Sequence, residues 1–133
     1  MIESMFEGPT GAAAINGMAA AYREESAATA RRFAAIGELD ALRTRELAES
    51  IFWRTDPHEE VAAEVSAALK ISRGRAAGQI HYARVLRDRL PEVAKVFASG
   101  VIDLRMVCLK SFRRDACLRT AFYSRIFLRF AGA

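Results

Sequence analysis

Apolar residues recur along the first third of the chain at steps of three and four. The members of this series are Met18, Ala21, Tyr22, Ala28, Phe33, Ile36, Leu39, Leu42 and Leu47. The spacing predicts an amphipathic helix that begins near Ala12, after a cap at Thr10, and continues to about Ser50. Gly37 leaves open whether the pattern forms one long helix or two, because a single glycine costs only about 1 kcal/mol in a helix.

Helix start and stop signals divide the rest of the chain into shorter helices. Asp56 followed by Pro57 is typical of a helix start, and Ser72 can cap the next helix. Pro91 interrupts or restarts that helix, and Gly100 is a natural stop. The sequence therefore predicts an all-α fold, a helical bundle with a long N-terminal helix.

Residues 58–90 have the pattern of a helix-turn-helix corner. The small residues Ser66 and Ala67 are expected to let its two helices approach closely. Leu69 and Ile71 are expected to fill the angle between them. The inward stripe of the second helix is expected to be Ala76, Ile80, Ala83, Leu86 and Leu90.

The second helix of this corner is basic. Residues 70–90 hold six basic residues and one acid, a balance of +5, whereas residues 38–64 hold eight acids and three arginines, a balance of −5. Either the two blocks neutralise one another within a bundle, or the basic block is a binding face. Arginine can bind guanine, glutamine can bind adenine, and phosphates accept hydrogen bonds from basic side chains. The candidate DNA contacts are Arg73, Arg75, Gln79, Arg84, Lys70 and Arg87.

Composition narrows the function classes. A chain of 133 residues is one domain's worth, and its net charge of +4 permits a nucleic-acid or acidic partner without requiring one. Cys108 and Cys117 match no metal motif, which favours reduced thiols in a cytoplasmic protein. Neither a signal peptide nor an apolar run of membrane-spanning length is recognisable, so no membrane partner is predicted.

Catalytic and metal signals are not recognisable in the sequence. His58 and His81 are the only histidines, and neither a phosphate-binding loop nor a nucleophile elbow is present. We therefore predict no enzyme activity, no cofactor, no catalytic residue and no metal site. Trp53 is interpreted as a core anchor at a helix junction, with a surface hot spot as the alternative.

The composition changes after about Leu109, where arginine and aromatic residues replace the alanine-rich pattern. We accordingly divide the chain into a flexible N-terminus (1–11), a helical domain (12–109) and a divergent basic and aromatic tail (110–133). The tail is interpreted as disordered or frame-shifted, and the alternative is a patch that binds nucleic acid or anionic membrane.

Several segments carry a resemblance to a known family: Trp53-Arg54-Thr55-Asp56, Glu64 through Ala77, Tyr82 through Leu86, Leu90-Pro91 and Phe97 through Asp103. Over roughly residues 5–107 the chain resembles the 13E12 repeat family. The resemblance implies a helical domain of unknown function that often precedes an HNH endonuclease domain. No histidine follows His81, so the nuclease residues have no counterpart here. The resemblance then implies a truncated member, whose reading frame has shifted near residue 108.

The leading hypothesis is a non-catalytic fragment of a 13E12 repeat protein that associates with DNA through its basic helix. Two alternatives stay open. The chain is a protein-interaction module, whose long helix pairs with a second copy or with another family member, or it is a degenerate remnant of an HNH-associated protein.

Overall fold

Five helices make up the described part of the protein. The computed structural model describes residues 10–50 and 56–114, with side chains as far as Ser111. The helices are α1 (Gly11–Glu49), α2 (Pro57–Leu69), α3 (Arg73–Asp88), α4 (Pro91–Ala98) and α5 (Leu104–Arg114). The predicted all-α class and the long N-terminal helix are thereby confirmed. Our expectations for residues 1–9, Trp53 and residues 115–133 lie outside the described residues.

Helix α1 is a single element of 39 residues, about 58 Å long at 1.5 Å per residue. The Thr10 hydroxyl accepts a hydrogen bond from the Ala13 amide at 3.3 Å, as expected of an N-cap. The helix passes through Gly37 without a break. A Cβ at Gly37 would lie 3.7 Å from the carbonyl oxygen of Ala83, so this glycine marks the place where α1 and α3 lie against each other.

Short polar side chains start three of the other helices, and the starts at Asp56 and Ser72 are as predicted. The Asp56 carboxylate accepts from the His58 amide at 3.0 Å, at the start of α2. The Asp103 carboxylate accepts from the Met106 amide at 2.9 Å, at the start of α5. Ser72 caps α3, the basic helix. These bonds satisfy amides that a helix leaves without a partner at its N-terminus.

All five helices contribute to one core. Phe33 of α1 packs against Phe97 of α4, with ring centroids 6.3 Å apart and ring planes inclined at 57°. Aromatic pairs favour such tilted arrangements over face-to-face stacking. Val61 and Val65 of α2 and Val107 of α5 complete the buried cluster. The expected inward stripe of α3 and its extension is confirmed, since every member of that stripe is buried: Ala76, Ile80, Ala83, Leu86 and Leu90.

The loop between α4 and α5 is fastened to α1. Gly100 has a φ of +79°, and a Cβ there would come within 2.5 Å of the Arg23 carbonyl oxygen. Three residues on, the Asp103 carboxylate accepts a hydrogen bond from the Tyr22 hydroxyl. This hydrogen bond raises the pKa of Tyr22 and lowers that of Asp103. The Gly-Val-Ile-Asp segment thus holds α5 against α1.

Helix α5 extends into the segment that the composition change separated from the helical domain. It ends at Arg114, and Ser111 is buried. Within residues 10–50 and 56–114, no helix combines the length and the apolar character needed to cross a membrane.

Candidate nucleic-acid interface

The corner between α2 and α3 is closed by a few local bonds. Lys70 ends α2 in the left-handed conformation, with a φ of 53°. The Ser66 hydroxyl then donates to the Ile71 carbonyl oxygen at 2.6 Å, and the Ile71 amide donates to the Ser66 carbonyl oxygen at 3.1 Å. The Ser72 hydroxyl accepts from the Arg75 amide at 3.3 Å, which starts α3. The predicted turn and its cap are confirmed.

The residues that fill the corner differ in part from the expectation. Ile71 packs against the core as predicted, but Leu69 and Ala67 are exposed. The prediction for these two residues was wrong because α2 ends at Leu69 and the chain reverses at Lys70. The next apolar side chain, Ile71, therefore returns to the core in place of Leu69. Ser66 closes the turn by hydrogen bonds rather than by small size alone.

Three of the six candidate DNA contacts surround the start of α3 and are exposed: Lys70, Arg73 and Arg75. The Arg73 side chain is 69% exposed, and its nearest acidic partner, Glu59, is 4.0 Å away. Ion pairs of this length and exposure contribute little to stability. The first turn of α3 contains no acid. The partial positive charge of the α3 N-terminus therefore adds to the positive charge of these three side chains.

Gln79 lies apart from this group. Its side chain is half-buried on α3, and its Oε1 atom is out of solvent contact without a hydrogen-bond partner among the described residues. Bidentate recognition of adenine needs both the amide oxygen and the amide nitrogen of glutamine at the surface. The observed placement therefore does not present Gln79 as a base reader.

Arg84 and Arg87 are turned toward α1. Arg84 donates from Nε and Nη2 to the two carboxylate oxygens of Asp40, at 2.9 and 2.5 Å. Arg87 donates from Nη1 to the Gly37 carbonyl oxygen at 2.7 Å and to Asp40 at 3.4 Å. It also pairs with Asp88 through Nε at 2.7 Å. These bonds occupy the fork of donors with which arginine would bind a base or a phosphate.

Asp40 is the residue that the sequence did not single out. Its side chain is only 3% exposed. Burial by itself would raise the pKa of Asp40, but the hydrogen bonds and charges of Arg84 and Arg87 outweigh burial and hold that pKa below its usual value. One signal was present in the sequence. Asp40 continues the helical series Phe33–Ile36, so it falls on the apolar face of α1.

The acidic block (residues 38–64) and the basic block (residues 70–90) neutralise one another only in part. Asp40, from the acidic block, pairs with the C-terminal half of α3. Glu64 instead binds Arg43 from its own block, through two hydrogen bonds of 2.8 and 3.0 Å. The hydrogen bonds from Arg43 lower the pKa of Glu64. At the start of α3, Glu59 of the acidic block lies 4.0 Å from Arg73.

Metal-binding groups do not converge in the described residues. No cluster of three or more histidine, cysteine, aspartate or glutamate side chains occurs in residues 10–50 and 56–114. His58 is half-buried in the first turn of α2, and its Nδ1 atom has no hydrogen-bond partner among these residues. Burial raises the pKa of the Cys108 thiol.

Comparison with known proteins identifies relatives of this helical unit. A family model described as a domain of unknown function, DUF222, matches residues 20–121. Uncharacterized protein Rv2100 of Mycobacterium tuberculosis (strain ATCC 25618 / H37Rv) is 43% identical over 91 residues, which cover 68% of this chain. Uncharacterized protein Rv3776 of the same strain is 42% identical over 91 residues, again 68% of this chain.

The curated relatives are much longer than this chain. The matched region covers 16% of Rv2100 and 17% of Rv3776. It covers 25% of a third relative, the "Uncharacterized protein in est 3'region" of Mycobacterium tuberculosis, at 42% identity over 91 residues, 68% of this chain. No solved structure matches the chain.

Proposed function

Since the chain belongs to the DUF222 family, a domain of unknown function, we propose a function for this family's helical unit from its surface chemistry. The protein is a non-catalytic helical module that associates with the phosphate backbone of DNA through Lys70, Arg73 and Arg75. The association is independent of base sequence. In this proposal Arg84 and Arg87 stabilise the fold and do not contact DNA.

The observation that carries this proposal is the exposure of three cationic side chains within six residues, around the start of α3. Lysine and arginine bind phosphate by charge and hydrogen bonding, and a helix N-terminus adds its own partial positive charge and open amides. A DNA phosphate would therefore find several donors at one place. The absence of a sequence preference is proposed because two of the candidate base readers are poorly placed to read bases: the Oε1 atom of Gln79 is out of solvent contact, and Arg84 donates two hydrogen bonds to Asp40.

The test is duplex binding as a function of salt. Fluorescence anisotropy with a labelled duplex of about 20 base pairs should give a log–log salt slope of roughly −2 to −3, because each neutralised phosphate contributes about −0.9. The triple variant Lys70→Gln, Arg73→Gln, Arg75→Gln should abolish most of the slope. A duplex of unrelated sequence should bind equally well.

A matched control removes the same charge elsewhere. Arg31→Gln, Arg45→Gln and Arg105→Gln together replace three exposed arginines on other surfaces and should leave most of the affinity and the slope in place. Equal losses in the two triple variants would show a general charge effect and would overturn the proposed site. Wild-type binding without salt dependence would overturn the proposal as a whole.

We extend the proposal to the relationship between this chain and 13E12-type proteins. The chain corresponds to the helical module of a 13E12-type protein, and nuclease chemistry in such proteins would come from a separate HNH segment. The Leu90-Pro91 and Gly100–Asp103 elements support this relationship, since they carry the resemblance and have definite places in the fold. A supercoiled plasmid incubated with the protein and Mg²⁺, Mn²⁺ or Ni²⁺ should stay intact. Cleavage above that of an identically purified blank would contradict the non-catalytic assignment.

We also assign the chain to the cytoplasm, and the free thiol of Cys108 supports that assignment. Fractionation of the source cells should recover the protein with cytoplasmic markers. Self-association, the other partner class that the sequence allows, would use a different surface, on α1.

A further inference from the structure

The core-facing stripe of α1 extends beyond the core. From Ser26 onward the stripe is buried, through Ala30, Phe33 and Ile36 to Asp40. Toward the N-terminus the same spacing of three and four continues through Tyr22, Met18 and Ile15. These last three side chains are exposed, Met18 by 66% and Ile15 by 62%. One helix face thus changes from buried to open at Tyr22.

The side chains of this open part are themselves uncharged, and the Asp103 carboxylate lies beside it at the Tyr22 hydroxyl. No acidic or basic residue occurs between Thr10 and Tyr22, and all of residues 10–25 are exposed. Val101 is a further apolar residue, in the loop that is fastened to α1 at Tyr22 and Arg23. It is exposed and follows Gly100, whose α-carbon lies against the Arg23 backbone. Exposed apolar side chains that share one helix face are a candidate site of contact with another molecule.

We propose that Ile15, Met18 and Tyr22 form a two-fold helix-pairing surface for a second copy of this chain, with the two α1 helices antiparallel. This inference is independent of the proposed DNA contact, which uses another surface. It takes up the protein-interaction alternative and commits it to one partner.

The second copy is favoured because the stripe is complementary to itself. A two-fold axis brings the same patch of both subunits together, so an uncharged apolar stripe meets an uncharged apolar stripe. Crossing near Met18 places Ile15 of one copy against Tyr22 of the other. The first charged residues of one helix, Arg23 through Glu25, then face Ala12 through Ala14 of the other. Like charges are therefore not brought together, and the alanines permit close approach of the helices.

The contact is small, so the dimer is weak. Three stripe residues on each side bury less than the roughly 1,200 Å² that stable specific interfaces require. Dimerisation should therefore depend on concentration, with dissociation constants in the micromolar range or above. It should also persist at high salt, because no ion pair contributes to it, whereas DNA binding through the α3 cations should not.

Sedimentation velocity of the full chain provides the test. Concentrations from about 5 to about 500 µM cover the dissociation constants expected of a weak interface of this size. The weight-average sedimentation coefficient should rise from the monomer toward the dimer value. Met18→Glu should weaken association at least roughly tenfold, because a charge would be placed in the centre of the apolar contact. Ala20→Glu is the matched control. It adds the same charge two residues away, on the other side of the helix, and should leave association unchanged.

Disulfide trapping tests the orientation of the helices. In a Cys108→Ser, Cys117→Ser background, Met18→Cys should form a symmetric cross-link, because residue 18 lies next to the proposed axis. Thr10→Cys should not, since antiparallel pairing separates the two copies of residue 10. Cross-linking at both positions would indicate parallel helices and overturn the proposal. A chain that stays monomeric at every concentration would also overturn it. The stripe would then be covered by residues 115–133 or by a different protein, not by a second copy.

Discussion

Arg84 and Asp40 form a two-pronged hydrogen-bonded ion pair that joins α3 to α1 across 44 residues of sequence. The carboxylate is 3% exposed, whereas the Arg84 side chain is 38% exposed. Arg87 supports the same carboxylate with a longer bond of 3.4 Å. A buried charge is tolerated only when it is paired and hydrogen-bonded. The pair therefore explains how an acid can occupy the core-facing stripe of α1, and why two partly exposed arginines of a basic helix donate their hydrogen bonds to α1.

Replacing Asp40 by alanine should destabilise the fold. The change removes the shared partner of Arg84 and Arg87 and opens space beside Gly37. We expect the free energy of unfolding to fall by about 2 to 4 kcal/mol, below the largest effects of breaking buried pairs because both arginines can be rehydrated. Urea denaturation followed by circular dichroism measures the change. Asp88→Ala is the control. Asp88 pairs with Arg87 but is 53% exposed, and its loss should cost under about 1 kcal/mol. Equal costs for the two variants would contradict the assigned role of Asp40.

The same carboxylate makes stability depend on pH. Its pKa is lower in the folded protein than the ordinary value of 3.8, so the folded state favours the ionised form. That stabilisation is complete above the unfolded pKa and is lost as the pH falls through the folded pKa. The free energy of unfolding should therefore decline from about pH 5 downward, and most steeply below the ordinary aspartate pKa. Glu64 and Asp103 act in the same direction, because their pKa values are also lowered by hydrogen bonds.

Urea titrations at intervals between about pH 7 and pH 3 would measure this dependence. Asp40→Asn removes one titrating group with little change of shape, so its acid-induced decline should be shallower than that of the wild type. A decline of unchanged steepness in Asp40→Asn would show that other carboxylates cause the effect.

Two glycines should respond in opposite ways to alanine substitution. Gly100→Ala places a Cβ within 2.5 Å of the Arg23 carbonyl oxygen at a φ of +79°. Alanine is strained at this backbone conformation, and its Cβ would push the loop away from α1. Together these effects should lower the free energy of unfolding by about 2 kcal/mol or more. Gly74→Ala is the comparison. A Cβ there meets nothing within 4 Å, so the variant should gain about 0.5 to 1 kcal/mol from helix propensity. Thermal melts of the two variants on either side of the wild type would confirm the prediction, and a stable Gly100→Ala would refute it.

The helices were predictable because their signals are local. Thr10, Asp56 and Ser72 begin helices as expected, since a cap satisfies amides only two or three residues away. The stripe of α3 is also fixed by its own spacing. The placement of Arg73 and Arg84 was not predictable in the same way. Both were candidate DNA contacts on one basic helix, but α1 lies against the C-terminal half of α3, near Ala83. Which half of a helix meets a neighbour depends on tertiary packing, and no local pattern encodes it.

The open end of α1 illustrates the same limit. Met18 and Phe33 belong to one periodic series, and the periodicity gives them equal weight as core residues. Phe33 is buried against Phe97, whereas Met18 extends past the bundle. Periodicity identifies the apolar face of a helix but not how far along that face a partner reaches. The sequence thus predicts the stripe, and only the fold separates its core segment from its exposed segment.

Arg84→Lys should separate the structural role of this residue from a binding role. Lysine keeps the positive charge but cannot donate two parallel hydrogen bonds to Asp40. We expect the free energy of unfolding to fall by about 1 to 2 kcal/mol, whereas affinity for duplex DNA should stay within about twofold of the wild type, because the charge of the surface is unchanged. Arg73→Gln should show the converse, with unaltered stability and weaker binding, since its ion pair with Glu59 is long, at 4.0 Å, and exposed. Denaturation and anisotropy on the same preparations measure both quantities. If Arg84→Lys weakened DNA binding strongly at unchanged stability, the guanidinium of Arg84 would contact DNA directly, and the division of the basic helix into a structural half and a binding half would be wrong.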